Sequence, residues 1–130
     1  MKILVVEDEF LSRQILSDIL SERGKVDAAA DGLEAIELFD SAVRSGIPYD
    51  LVCLDIMIPG VDGQNVLSHF REIEWDNNIR GLTGAKIVMT TALSDYRNIS
   101  KAFNSQCDAY LTKPIDPDKL EQTLKDIELL

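Results

Sequence analysis

Four apolar runs in this chain are each followed at once by residues able to do chemistry. Glu7, Asp8 and Glu9 follow ILVV, Asp55 follows LVCL, Thr91 follows KIVMT, and Lys113 with Pro114 follows AYLT. Each has an ordinary explanation. An acid after a strand often caps the next helix, a lone Asp, Thr or Lys at a loop start is usually only solvated, and a proline can merely end a strand. The conjunction says more. Carboxylates crowded together repel, and their pKa values rise unless a cation sits among them. A hard divalent ion suits such a set: Mg²⁺ typically takes one or two carboxylates, keeps waters and completes its shell with phosphate oxygens. A carboxylate is also a competent nucleophile toward phosphorus. Phosphoryl transfer needs mainly positioning and charge neutralisation. A metal and Lys113 can supply the charge, and the Thr91 hydroxyl can donate to a phosphoryl oxygen.

Those residues work together only if the runs before them lie side by side. Apolar runs alternate with amphipathic stretches from end to end. Strands are expected at Lys2–Val6, Val26–Ala30, Leu51–Leu54, Lys86–Thr90 and Ala109–Leu111. A helix over 10–22 should turn Leu11, Ile15, Leu16, Ile19 and Leu20 inward, with Gly24 stopping it. A helix over 33–44 should bury Ile36, Phe39 and Val43. After a turn at Pro59-Gly60, a helix over 63–74 should bury Val66, Leu67, Phe70 and Ile73. Trp75–Gly84 reads as a long polar surface loop. Ser94 can cap a helix carrying Ile99, Ala102 and Phe103. Asp116 and Pro117 open the last helix as N-cap and first helical residue, with Leu120, Leu124 and Ile127 inward. Strict alternation predicts an α/β fold: a five-stranded parallel sheet with helices on both faces and right-handed crossovers. Ligands then bind beyond the carboxyl ends of the strands, the edge where all the reactive residues fall.

The 130 residues suit one domain, 45% of them apolar. The expected organisation is a single domain, 1–130, with no output domain attached. The segment MKILVVEDE is no signal peptide and no apolar run could span a bilayer, so the expected location is the cytoplasm. A net charge of −10 repels phosphate backbones and argues against direct nucleic-acid binding. Cys53 and Cys107 sit in apolar runs and read as buried thiols. His69 reads as a surface histidine.

Taken together, LVVEDE, DLVCLDIMIPGVDG, IVMTTA and AYLTKP resemble the receiver domains of response regulators, the CheY-like family of two-component signalling. The likeness runs over essentially the whole chain. It implies a flavodoxin-like sheet of order 2-1-3-4-5 flanked by five helices. It implies that Asp55 is the phosphoacceptor, and that Glu7, Asp8, Asp55 and the backbone carbonyl of Met57 hold Mg²⁺ or Mn²⁺. Thr91 and Lys113 would meet the phosphoryl group, Thr91 and Tyr110 would switch, and the Lys113–Pro114 bond would be cis. The domain would catalyse only its own phosphorylation and dephosphorylation. Its partners would be a sensor histidine kinase or histidine phosphotransfer protein and a downstream target. That target would bind the face made by the fourth helix, fifth strand and fifth helix. The protein would be a monomer or a phosphorylation-dependent dimer.

Three rivals fare worse. An aspartyl phosphatase needs a second Asp where this chain has Met57. A flavin carrier would cradle phosphate where Glu7, Asp8 and Glu9 repel it. A degenerate receiver, binding partners without being phosphorylated, lacks site residues that this chain retains. Two departures from the family pattern stand out. The 75–84 loop is long, with Trp75 expected to pack at a helix end, and Leu93 is apolar where polar residues are common.

Overall fold

The computed structural model describes residues 1–58, 60, 62–92 and 107–130. Along the chain run β1 (Lys2–Val6), α1 (Phe10–Ser21), β2 (Lys25–Ala29), α2 (Gly32–Arg44) and β3 (Leu51–Asp55). Next come α3 (Gly63–Asp76), a 3-10 turn (Gly81–Thr83), β4 (Lys86–Ala92), β5 (Ala109–Lys113) and α4 (Pro117–Asp126). Four helices thus stand among the described residues. Pro59, Leu93 and the helix expected after Ser94, with Ile99, Ala102 and Phe103, lie outside them.

The strands form one parallel sheet in the order β2-β1-β3-β4-β5. Alternating side chains split its core in two. Leu4, Val6, Val52, Leu54, Ile87 and Met89 pack on one face with Phe39 of α2 and Phe70 of α3, whose rings stack at 4.2 Å. Ile3, Val5, Leu51, Cys53 and Val88 face Leu16 and Leu20 of α1 and Leu120 and Leu124 of α4. β1, β3 and most of β4 are buried on both faces, which is why their runs are continuously apolar.

Helix starts follow side-chain caps. Asp31, Asp62 and Asp116 each accept a backbone N–H of the following turn, and Pro117 opens α4 as expected. Several expectations change. Leu11 and Ile15 do not face the core; they are 61% and 47% exposed, and α1 buries only Leu16 and Leu20. Gly24 is not the cap of α1, which ends at Glu22. It is required instead by a close approach, since a Cβ there would stand 2.0 Å from the Met1 carbonyl oxygen. β4 and β5 each run two residues further than expected, so Thr91 and Lys113 are strand residues rather than loop residues. The 75–84 segment carries the end of α3 and the 3-10 turn. Trp75 is exposed on one side and stacks on Arg80, whose Cζ is 3.5 Å from the ring centre. His69 is exposed, Cys53 is buried and Cys107 half-buried, and neither cysteine is in a disulfide.

Candidate functional site

The ends of β1, β3 and β5 bring the acids and the lysine together. β3 pairs with both β1 and β4, and β4 with β5, so Glu7, Asp55 and Lys113 emerge on one edge of the sheet. The β3–α3 connection is held close: Gly63 donates its N–H to the Ile56 carbonyl at 3.1 Å. A Cβ on Gly63 would lie 2.7 Å from Ile56 Cα, so a side chain there would push α3 off the residue after Asp55.

Lys113 Nζ donates to Glu7 Oε2 and to Asp55 Oδ2, each at 2.7 Å. The other oxygens of these acids take backbone donors, Asp55 Oδ1 from Met57 N at 2.9 Å and Glu7 Oε1 from Glu9 N at 3.3 Å. Glu7 and Asp55 are buried, at 3% and 4% exposure. Asp8 is exposed, yet a carboxylate oxygen from each of Glu7, Asp8 and Asp55 lies within 4.8 Å of the others. Burial, and then a shared hydrogen bond and repulsion with Asp55, raise the Glu7 pKa to about 7. For Lys113, burial disfavours the ammonium, but its bonds to Asp55 and Glu7 outweigh that and raise its pKa. Glu7 and Asp55 thus share one ammonium, and the Asp8 carboxylate beside them has none. The surplus of negative charge and the all-oxygen donor set fit a hard divalent cation, which would relieve the repulsion.

The other expected residues sit around this centre. Thr90 pairs with Asp55 in the β3–β4 register, and Thr91 follows it, buried, its hydroxyl donating to the Ala92 carbonyl at 3.2 Å. The Lys113–Pro114 bond is cis. The Met57 backbone reaches Asp55 while its side chain is 62% exposed. Tyr110, half-buried on β5, packs against the α2–α3 side of the core and hydrogen-bonds with Cys107. Glu9 is not part of the acid cluster. It is the N-cap of α1, accepting from the N–H groups of Leu11 and Ser12. Sequence reasoning missed Arg13, which donates to the backbone carbonyls of Glu7 and Asp8. An arginine one turn into a helix that follows an acidic loop was the available signal.

The profile of the response regulator receiver domain matches residues 3–125. The chain belongs to that family. Regulatory protein VanRB of Enterococcus faecalis is 35% identical over 128 residues, 98% of this chain and 50% of VanRB. Chemotaxis protein CheY of Halobacterium salinarum is 29% identical over 127 residues, 97% of this chain and 95% of CheY. The solved structure of response regulator TrrA from Thermotoga maritima, in complex with Mg²⁺-BeF, superposes with a TM-score of 0.74 at 36% identity, covering 97% of each chain. The chain therefore spans half the length of VanRB and nearly all of CheY. A receiver domain is a signalling module of two-component systems rather than a conventional enzyme, and receiver domains interact with histidine kinases. Among the described residues, no helix is long and apolar enough to cross a membrane.

Proposed function

We propose that this receiver takes a phosphoryl group on Asp55 from a histidine kinase or histidine phosphotransfer protein and changes shape in response. The observation that carries this reading is the Lys113 ammonium held between the buried carboxylates of Asp55 and Glu7, with Asp8 beside them. An Asp55 oxygen attacks phosphorus while the bond from phosphorus to the donor imidazole nitrogen breaks, and that nitrogen keeps the electron pair. The product is an acyl phosphate on Asp55. Glu7, Asp8, Asp55 and the Met57 carbonyl would hold Mg²⁺ or Mn²⁺, which when bound neutralises charge on the phosphoryl oxygens. Lys113 supplies the protein's own positive charge at the same place.

Thr91 and Lys113 make the contacts that differ between the two states. The Thr91 bond to Ala92 is long for a hydroxyl donor, so little is lost when the hydroxyl turns to a phosphoryl oxygen. Lys113 exchanges a carboxylate for the phosphoryl group. A ligand shifts a conformational equilibrium only through such differential contacts. Tyr110, on the same strand as Lys113, would carry the change to the surface of β5 and α4, where a downstream target would bind. The donor would be met at α1 and the β3–α3 loop, where Phe10, Leu11, Ile15 and Met57 are exposed apolar side chains.

The test is labelling with acetyl phosphate or a cognate kinase, with and without Mg²⁺. Label should appear only with Mg²⁺ and vanish in the nearly isosteric Asp55→Asn, whose fold should persist. Thr91→Ala and Lys113→Ala should separate phosphorylation from the shape change. Label surviving in Asp55→Asn would put the acceptor elsewhere.

A further inference from the structure

Arg13 takes no part in the reading above, yet it grips the loop that carries two of the three acids. Its Nη1 donates to the carbonyl oxygens of Glu7 at 2.9 Å and Asp8 at 3.2 Å. These carbonyls lie between the end of β1 and the first turn of α1, where neither ladder nor helix provides them a donor. One guanidinium nitrogen carries two N–H bonds and can serve both at once, and its charge strengthens both bonds.

The two carbonyls belong to the two peptide planes that flank the Asp8 Cα. A peptide unit is planar, so fixing both units fixes the only two soft dihedrals of Asp8 and hence the direction of its Cβ. Among the described residues one other contact touches these planes, the Glu9 N–H donating to Glu7 Oε1 at 3.3 Å, and it holds only the second of them. The Asp8 side chain is exposed and, among the described residues, its carboxylate has no hydrogen-bond or ion-pair partner, whereas Glu7 and Asp55 are held by Lys113. Arg13 itself is anchored. Its backbone N–H donates to Glu9 at 3.0 Å, its Cζ lies 5.5 Å from the Phe10 ring centre, and α1 is pinned by Leu16 and Leu20.

We propose that Arg13 is a positioning residue for Asp8, holding the peptides on either side of it so that the carboxylate is presented to the divalent cation. The inference rests on the proposed metal site. It makes a prediction whose sign separates it from simple electrostatics. Arg13 is a cation beside a cation site, so by charge alone its removal should tighten Mg²⁺ binding. By positioning, its removal should weaken it.

The experiment is a Mg²⁺ titration of metal-free protein followed by amide NMR shifts, on wild type, Arg13→Ala and Arg13→Lys, with thermal melts in the absence of metal. Arg13→Ala should bind Mg²⁺ about fivefold more weakly, less than the loss seen when a partner of the ligand side chain itself is removed. Arg13→Lys, which keeps charge and donors, should recover most of the affinity, and the metal-free melts should stay close together. Unchanged or tighter binding in Arg13→Ala would overturn the proposal. So would an equal loss in both variants accompanied by lower metal-free melting temperatures, which would make Arg13 a general brace. Wild type indifferent to Mg²⁺ would remove the metal site and the inference with it, and that failure is visible in the parent protein alone.

Discussion

At the edge where the strands end, Glu7 and Asp55 share one lysine with Asp8 close beside them; at the edge where they begin, Glu74 and Asp108 share Arg71. Both edges gather acids around one basic side chain, and the results differ. Glu74 is buried in α3, with Oε2 accepting from Ala85 N at 2.6 Å and Oε1 from Arg71 Nη1 at 2.8 Å. Arg71 also donates to the Ala85 carbonyl at 2.9 Å and to Asp108 at 3.3 Å, and Asp108 accepts from Ile87 N at 2.7 Å. Each acid there ties a backbone N–H at the start of β4 and meets a fork of Arg71, so its charge is spent in closing the loop after α3. At the other edge the acids face one another and outnumber their cation. Burial next to Asp55 leaves Glu7 with a pKa of about 7. Structure is what results when every charge is answered within the chain; a site for a cation or a phosphoryl group is what results when one is left over.

Removing one acid from each cluster should break the two in opposite ways, and this is the largest effect expected. Glu74→Ala strands a buried Ala85 N–H and deprives Arg71 of a partner, at a cost of about 3 kcal/mol in unfolding free energy. It should leave the response to Mg²⁺ intact. Asp55→Asn removes a repelling charge and should leave metal-free stability within about 1 kcal/mol of wild type, while abolishing phosphorylation. Urea denaturation of both variants, read beside acetyl phosphate labelling, checks the pair. Similar destabilisation in both would mean that the Asp55 cluster is as structural as the Glu74 cluster.

A smaller effect sharpens the comparison at the leftover charge itself. A ligand that binds only the native state stabilises it by mass action, about 1.4 kcal/mol when its concentration is ten times its Kd. Mg²⁺ should raise the melting temperature of wild type by that route, and Asp8→Ala should lose most of the rise. Without metal, Asp8→Ala should melt no lower than wild type, because it relieves repulsion and breaks no hydrogen bond. Differential scanning calorimetry with and without Mg²⁺ decides it; a full Mg²⁺ response in Asp8→Ala would take Asp8 out of the metal shell.

Much of this was legible before any coordinates. Alternating apolar and amphipathic stretches demand a parallel sheet, and a parallel sheet places Glu7, Asp55, Thr91 and Lys113 on one edge. Local chemistry was legible too, as with Asp116 and Pro117 at the start of α4. Tertiary choices were not. Leu11 and Ile15 match the apolar periodicity of α1, but the sheet is covered by Leu16 and Leu20, and the other two are left exposed. Glu9 and Asp8 are adjacent acids, and only the backbone shows that one caps α1 while the other turns toward the site. The Glu74 cluster was missed because a glutamate in an amphipathic helix reads as solvent-facing. The signal existed: Glu74 follows Phe70 by four residues and Leu67 by seven, which puts it on the buried stripe. The partner that makes this tolerable, Ala85, lies beyond the end of the helix and cannot be seen from periodicity.

The smallest expected effect concerns how long the site keeps a phosphoryl group. An acyl phosphate is lost when water attacks phosphorus in line, opposite the Asp55 oxygen, and a side chain that orients that water speeds the loss. Met57 stands beside Asp55 and offers no useful hydrogen bond. Leu93, apolar where the family is commonly polar, lies outside the described residues. The Met57 side chain is 62% exposed, so it covers the acceptor only in part, and its backbone N–H holds Asp55 Oδ1 whatever the side chain is. Met57→Asn should therefore leave labelling and stability unchanged while shortening the lifetime of the phosphorylated protein a few-fold, on the order of 1 kcal/mol in the barrier. The comparison with the Glu74 edge enters here too. There, polar groups are already paired and a new amide would have nothing to orient; at Asp55 the amide would stand beside the path of the water that attacks phosphorus. Decay of ³²P-labelled wild type, Met57→Asn and Met57→Leu in excess Mg²⁺ tests the point. Equal decay in all three would show that the side chain after the acceptor loop sets nothing, and that the lifetime is controlled by the groups already bound to Asp55.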